Sequence, residues 1–306
     1  MNYVRRLPKF EYLAPQTVQE VCALLAQYGE NAAIIAGGTD LLPKMKRRET
    51  VPQHLISLEN IPGLDRIEYS DADGLRIGPA VTMHSIRNFP VIREKFGALA
   101  QAAADLGSAQ IRNLATLAGN LCNTAPCADT PPALIAMGAR LKLVHAAGER
   151  TVPIEEFFLE PFKSTRKNIE FLAEIQVPAQ APGSRGVYLR HTLRGAMEYP
   201  LVGVAVLLDL EGQVCRDIKV AGSVCSHCWR REGCKFPCGT PFRATRTEEV
   251  LRGKKLDDTL IQEAAQIAAK QARPLVNTNY ARDMIKVFTR RAVTLAWKGS
   301  TQLEKK

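Results

Sequence analysis

With 306 residues, 46% of them hydrophobic and 24% charged, the chain can bury a sizeable core, which excludes a disordered protein and fits two or three subdomains. A formal net charge of +10, from 41 basic and 31 acidic residues, is spread in small clusters without the basic-and-aromatic interleaving of a nucleic-acid module; it reads as a solvated face that attracts an acidic partner protein. No run of about eighteen apolar residues occurs and the start MNYVRRLPKFEYLAP has no hydrophobic signal core, so the expectation is a cytoplasmic protein with neither membrane span nor secretory leader.

In chain order, residues 17–29 have the spacing of an amphipathic helix, with Val18, Val21, Cys22, Leu24 and Leu25 apolar and Gly29 as its stop. The short apolar run 32–36 reads as a buried strand. It opens into Gly37, Gly38, Thr39 and Asp40, where two glycines permit a tight turn and Thr39 and Asp40 can cap the segment after them. Such a turn presents backbone N–H groups without Cβ atoms in the way, which suits a diphosphate.

Strands are expected at 54–58, 74–77, 140–144 and 169–177, and helices at 95–106 and 130–138, a mixed α+β pattern. Between them, residues 114–129 pass through Thr116, Gly119, Asn120, Asn123, Thr124 and Pro126, rich in small hydrogen-bonding side chains and poor in bulk. The expectation there is a second extended turn, neither regular helix nor strand.

On these two turns the sequence resembles the FAD-binding medium subunit of the molybdenum hydroxylases, the family of xanthine dehydrogenase, aldehyde oxidoreductase, carbon monoxide dehydrogenase and 4-hydroxybenzoyl-CoA reductase. The resemblance covers nearly the whole chain. It implies that an AGG(T/H)(D/S)L turn, here Ala36 to Leu41, and a T-x-G-G-N turn, here Thr116 to Asn120, wrap the diphosphate and ribityl chain of FAD, with Asp129 adding a contact. The implied cofactor residues are Ile34, Ile35, Ala36, Gly37, Gly38, Thr39, Asp40, Leu41, Leu106, Thr116, Ala118, Gly119, Asn120, Asp129 and Tyr199. Ala118 departs from the motif by standing at its first glycine, and a methyl there is tolerable where φ is negative.

The stretch PAQAPGSRG at 178–186 has linker composition, since proline and glycine deny both helix and ladder. Strands follow at 187–192, 201–210 and 213–221, then helices at 245–251, 260–270 and 280–298, arguing for an antiparallel sheet with helices. The fold class expected from the resemblance is α+β: a two-part FAD-binding domain of the PCMH/vanillyl-alcohol-oxidase-like type over 1–178 (subdomains about 1–55 and 56–178), a linker at 179–185, and a flavoprotein C-terminal domain over 186–306. Met197, Glu198 and Tyr199 stand where relatives approach the isoalloxazine; Tyr199 either stacks on the ring or packs on the sheet.

Eight cysteines in a cytoplasmic chain are not disulfide staples. Four of them, Cys225, Cys228, Cys234 and Cys238, have the spacing C-x2-C-x5-C-x3-C in an insert at 225–239 that most relatives lack. Zinc usually takes two separated C-x-x-C knuckles and only one is present, whereas a [4Fe–4S] cluster accepts one knuckle plus wider spacings, with Arg230, Arg231 and Lys235 offsetting its charge. The cluster is the preferred reading and zinc the alternative. Medium subunits resembling that of 4-hydroxybenzoyl-CoA reductase carry such a cluster after the second flavin turn; here that region holds only Cys122 and Cys127, read as structural.

No dinucleotide fingerprint, nucleophile elbow, zincin motif or acid–base pair is present, and the five histidines are scattered singly, so no side chain is expected to be catalytic and the chemistry is the cofactor's. The resemblance therefore implies an electron-transfer subunit partnered by a molybdopterin-binding large subunit and a small subunit with two [2Fe–2S] clusters, exchanging electrons with an external redox protein or NAD. Two other classes stay open at this point: a stand-alone FAD oxidoreductase acting on its own substrate, and a zinc-stabilised interaction module on a flavin-type fold.

Overall fold

The computed structural model describes residues 6–195, 197–225, 239–272 and 279–299. The chain opens with β1 (Glu11–Leu13), α1 (Val18–Tyr28), β2 (Ala32–Ile35), α2 (Leu41–Arg47) and β3 (His54–Ser57), and the three strands pair in parallel in the order β1-β3-β2. Helix α1 starts where Thr17 accepts the Glu20 amide through its hydroxyl, and it buries Val21, Cys22 and Leu25 against this small sheet. Its stop is the expected one: Gly29 has φ +50° and returns its amide to the Leu25 carbonyl.

A five-stranded antiparallel sheet, β4-β5-β10-β6-β7, is built from β4 (Ile67–Ser70), β5 (Gly74–Ile77), β6 (Arg140–His145), β7 (Gly148–Pro153) and, after the small hairpin β8 (Phe158–Glu160) and β9 (Lys163–Ser164), β10 (Phe171–Val177). Between β5 and β6 run six short helices: α3 (Met83–Asn88), α4 (Pro90–Lys95), α5 (Gly97–Asp105), α6 (Ala109–Leu114), α7 (Leu117–Asn123) and α8 (Thr130–Ala136). The helix expected at 95–106 is α5, which starts two residues later because Phe96 leaves the helical region (ψ 44°) and buries its ring completely. One expectation is corrected here. The stretch 114–129 does contain helix, because Thr116 caps α7 by accepting the Gly119 amide at 3.1 Å, and small side chains let that turn pack closely.

The C-terminal part has β11 (Arg185–His191), β12 (Val202–Glu211), β13 (Val214–Val224) and β14 (Phe242–Arg243) in sequential antiparallel order, then α9 (Thr245–Leu251), α10 (Asp258–Gln271) and α11 (Asn279–Lys298). Alternation along β12 explains how this sheet joins two layers. Val202, Val204, Val206 and Leu208 point to the core under α9, α10 and α11, while the smaller Ala205 points to the core that α5 and α8 share with the five-stranded sheet. The sheet is thus clamped between its own helices and those of the N-terminal part. The cysteine insert leaves from the end of β13 and returns in β14, strands paired at Ala221 with Arg243 and Gly222 with Phe242.

Candidate functional site

The first glycine turn is dictated by packing as much as by chain reversal. A Cβ on Gly37 would overlap the Leu114 carbonyl at the end of α6, so the backbone of one turn lies directly on the approach to the other. Gly38 takes φ +67°, a conformation that disfavours side chains. Among the described residues, the amides of Gly38, Thr39 and Asp40 donate to no protein carbonyl, leaving a row of N–H groups for a ligand. The expected side-chain cap is not made: Asp40 stands at the N-cap of α2 without accepting a helix amide through its carboxylate. Burial pushes its carboxyl up, against the pull of Lys44 one turn on.

The second turn is held by hydrogen bonds that need no special glycine geometry. The Leu117 amide donates to the Val81 carbonyl at 3.1 Å, and Thr116 bridges Thr82. Ala118 lies in the first turn of α7, outside the positive-φ residues, so its methyl carries no backbone strain. The Asn120 amide oxygen accepts from the Thr130 hydroxyl at 2.6 Å, which fixes the side chain and leaves its NH₂ to face a ligand. The two turns are tied by Lys44, whose ammonium donates to Asn123 Oδ1 at 2.5 Å and lies over the Phe162 ring. Burial pushes the Lys44 pKa down and Asp40 draws it back up.

The far wall comes from the C-terminal sheet. Asp129, almost fully buried, accepts from the Tyr188 hydroxyl at 2.9 Å and from Arg190 at 3.2 Å. Burial outweighs the Arg190 charge and raises the Asp129 carboxyl to about 6. Arg190 also reaches the Glu198 carbonyl and lies 4.0 Å from Asp105, so one guanidinium ties β11 to the end of α5 and the start of α8. Beside Asp129, Cys127 shares a small buried cluster with Cys225, and the neighbouring thiol together with burial lifts the Cys127 pKa well above the ordinary thiol value.

These walls enclose a cavity of about 580 Å³, within the range of small-molecule and cofactor sites. All fifteen residues expected to touch a cofactor line it, from Ile34 to Leu41, Leu106, Thr116, Ala118 to Asn120, Asp129 and Tyr199. Free amides, a permissive glycine and a half-buried cation at one side, with apolar walls and a half-exposed tyrosine at the other, fit a ligand with an anionic middle and a flat aromatic end. Sequence reasoning missed Lys44 and Arg166 on this wall. The available signal for Lys44 was its place four residues after Asp40, on the same face of α2.

The expected metal ligands are only partly placed. Cys225 is buried beside Cys127, whereas Cys228, Cys234 and Cys238 lie outside the described residues. Among the described residues no group of three or more His, Cys, Asp or Glu could hold a metal ion. No described helix is long and apolar enough to cross a membrane.

Residues 8–180 match the FAD binding domain in molybdopterin dehydrogenase, and residues 238–296 match the CO dehydrogenase flavoprotein C-terminal domain. The chain therefore belongs to the molybdopterin dehydrogenase flavoprotein family: it is an FAD-dependent oxidoreductase subunit of the molybdenum hydroxylase type. It is 32% identical to the carbon monoxide dehydrogenase medium chain of Hydrogenophaga pseudoflava over 295 residues, 95% of this chain and 98% of that one. It is 30% identical to the glyceraldehyde dehydrogenase medium chain of Sulfolobus acidocaldarius, over 93% and 97% of the two chains. The solved Hydrogenophaga pseudoflava carbon monoxide dehydrogenase that lacks the Mo-pyranopterin moiety superposes with a TM-score of 0.87 at 31% identity, covering 96% of this chain and 99% of that one.

Proposed function

We propose that the subunit relays electrons between [2Fe–2S] clusters of a small partner subunit and an external donor or acceptor, in a complex whose large subunit binds molybdopterin and acts on the substrate. The observation that carries this reading is the convergence of both glycine turns, Asp129 and Tyr199 on one cavity. Bound FAD supplies the redox chemistry, taking electrons singly or in pairs.

In this reading the amides of Gly38, Thr39 and Asp40 and the Lys44 ammonium hold the diphosphate. Asn120 and Asp129 orient the ribityl chain, and Tyr199 covers the ring from the C-terminal side. Asp129 is kept in place by Tyr188 and Arg190, so the C-terminal sheet sets the position of a cofactor contact that belongs to the N-terminal part. The insert opened by Cys225 adds a metal centre, a [4Fe–4S] cluster by its spacing, as a further relay station. The place of action is the cytoplasm, where the thiols of such a centre stay reduced.

The test is an anaerobic ultraviolet–visible spectrum of the purified chain with iron, zinc and acid-labile sulfide assays on the same sample. Flavin bands with stoichiometric iron and sulfide are expected. Zinc without sulfide would make the insert a structural clamp, and a folded sample unable to take up FAD would overturn the reading of both turns.

A further inference from the structure

We infer that Phe162 is a positioning residue for the cofactor: its ring backs the Lys44 ammonium on the side away from the cavity, keeps that side dry and so slows the release of FAD. This rests on the reading that the FAD diphosphate lies against Lys44 and the free amides of the first turn, and it adds the residue that strengthens the cation's hold.

Phe162 breaks two ordinary rules at once. It is 52% exposed, and its φ of +62° is left-handed, a conformation costly for a bulky side chain. It follows Pro161 in the two-residue connection between β8 and β9. Proline followed by a left-handed residue is the pattern of a type II turn, whose second central position calls for glycine. Nothing in the turn itself asks for phenylalanine.

What fixes the ring is a pair of adjacent residues at the end of α7. Asn123 accepts from the Lys44 ammonium through its side-chain oxygen, and the Thr124 carbonyl accepts from the Phe162 amide at 3.0 Å. Thr124 is buried and also left-handed, with φ +47°, so a second residue with a side chain is bent to make this junction. The result is a Lys44 Nζ that lies 5.5 Å from the centre of the Phe162 ring. Lys44 and Asn123 line the cavity and Phe162 does not, so the ring stands behind the ammonium.

An aromatic face in that place attracts the cation through its quadrupole and excludes water from one side of it. With less water to compete and less salt to screen it, the charge acts more strongly on an anion in front of it. An ammonium has three donors; Asn123 takes one, and the others are left for phosphate oxygens. Strain at Phe162 and Thr124 is thus matched by a gain that only the loaded cavity shows.

The experiment follows FAD release from the full-length chain by flavin fluorescence after dilution, at two ionic strengths, with thermal unfolding of the FAD-free chain in parallel. Phe162→Gly relieves the backbone, so its melting temperature should not fall. Its FAD should nevertheless leave about fivefold faster, with an affinity more sensitive to salt. Phe162→Tyr keeps the ring and should release FAD within about twofold of the wild type. In a Lys44→Met background, Phe162→Gly should change release no further, because the ring acts through the ammonium.

Unchanged release and salt dependence in Phe162→Gly, with Lys44→Met still weakening FAD, would overturn the inference and leave the diphosphate reading standing. Faster release that persists in the Lys44→Met background, or that comes with a lowered melting temperature and no change in salt dependence, would overturn it too, as a general loosening of the hairpin. An FAD affinity untouched by Lys44→Met would sink the underlying reading as well.

Discussion

The two turns that line the cavity meet the same need by different physics. In the first, glycine is imposed twice: Gly37 because the Leu114 carbonyl occupies the place of a Cβ, and Gly38 because its φ is +67°. In the second, the backbone conformation is open to ordinary residues, since Thr116 caps a short helix and Ala118 sits at a helical φ within it, and glycine is wanted only at Gly119, where a Cβ would stand 2.9 Å from the capping Thr116 hydroxyl. A glycine motif therefore has to be separated into positions where the backbone forbids a side chain and positions where the side chain is merely small. The first turn is the rigid partner, and the second is shaped against it.

The sharpest way to break this contrast is Gly37→Ala. Its methyl meets backbone rather than a flexible side chain, so relief requires the two turns to separate, at a cost of about 3 kcal/mol. Thermal unfolding of the cofactor-free chain should show that loss, and FAD content after purification should fall with it. An unchanged melting temperature with full FAD content would show that the turns do not abut.

The contrast extends to the wall that closes the second turn. Because burial raises the folded-state pKa of Asp129 to about 6 against an ordinary value of 3.8, the native protein holds a proton there that the unfolded chain has released. Stability is thus favoured below the unfolded value and falls as pH rises from about 4 to about 6, by up to ~3 kcal/mol, and the effect is flat above that window. Asp129→Asn, which keeps an acceptor for Tyr188, should remove this slope. Denaturant midpoints of the FAD-free chain across pH 4 to 7 read it directly; a stability that instead climbs over the same interval in the wild type alone would mean that Arg190 wins over burial.

How much of the molecule is legible in its sequence differs along the same line. The first turn is readable because Gly-Gly after an apolar run leaves few other conformations, and the spacing of 17–29 marks α1 together with its Thr17 start and Gly29 stop. The second reads wrongly as irregular because Thr116 caps through a hydroxyl three residues before the amide it binds, in a stretch whose composition favours no helix. The partners of Asp129 are invisible for another reason: Tyr188 and Arg190 lie 59 and 61 residues away, and only the pairing of β11 with β12 brings that face over the cavity. Cys127 and Cys225 are legible as thiols but not as neighbours, since nothing local in either segment points to the other.

The bond between the turns supplies a smaller test. Lys44 is shared by both, through its hydrogen bond to Asn123 and its place beside Asp40, and it is a half-buried cation that lines the cavity with the free amides. Lys44→Met keeps the stem and removes the charge. FAD affinity should fall about tenfold, near 1.4 kcal/mol, and lose part of its salt dependence. Fluorescence titration at two ionic strengths measures both, and an affinity that does not move would place the diphosphate elsewhere in the cavity.

The smallest expected effect on FAD affinity is the most direct probe of the comparison. Ala118→Gly restores the glycine that the T-x-G-G-N motif has at that position, in a helical conformation that does not need it. If the second turn is set by its cap and not by glycine, the change lowers stability by up to ~2 kcal/mol, through helix propensity and a lost buried methyl, and leaves FAD affinity within about twofold. If instead the methyl holds the cofactor away from the backbone, the same variant tightens FAD binding by an order of magnitude. The two outcomes differ in sign on affinity, so a single titration decides whether this chain's alanine is a neutral replacement in a capped helix or a restraint on the depth of its cofactor.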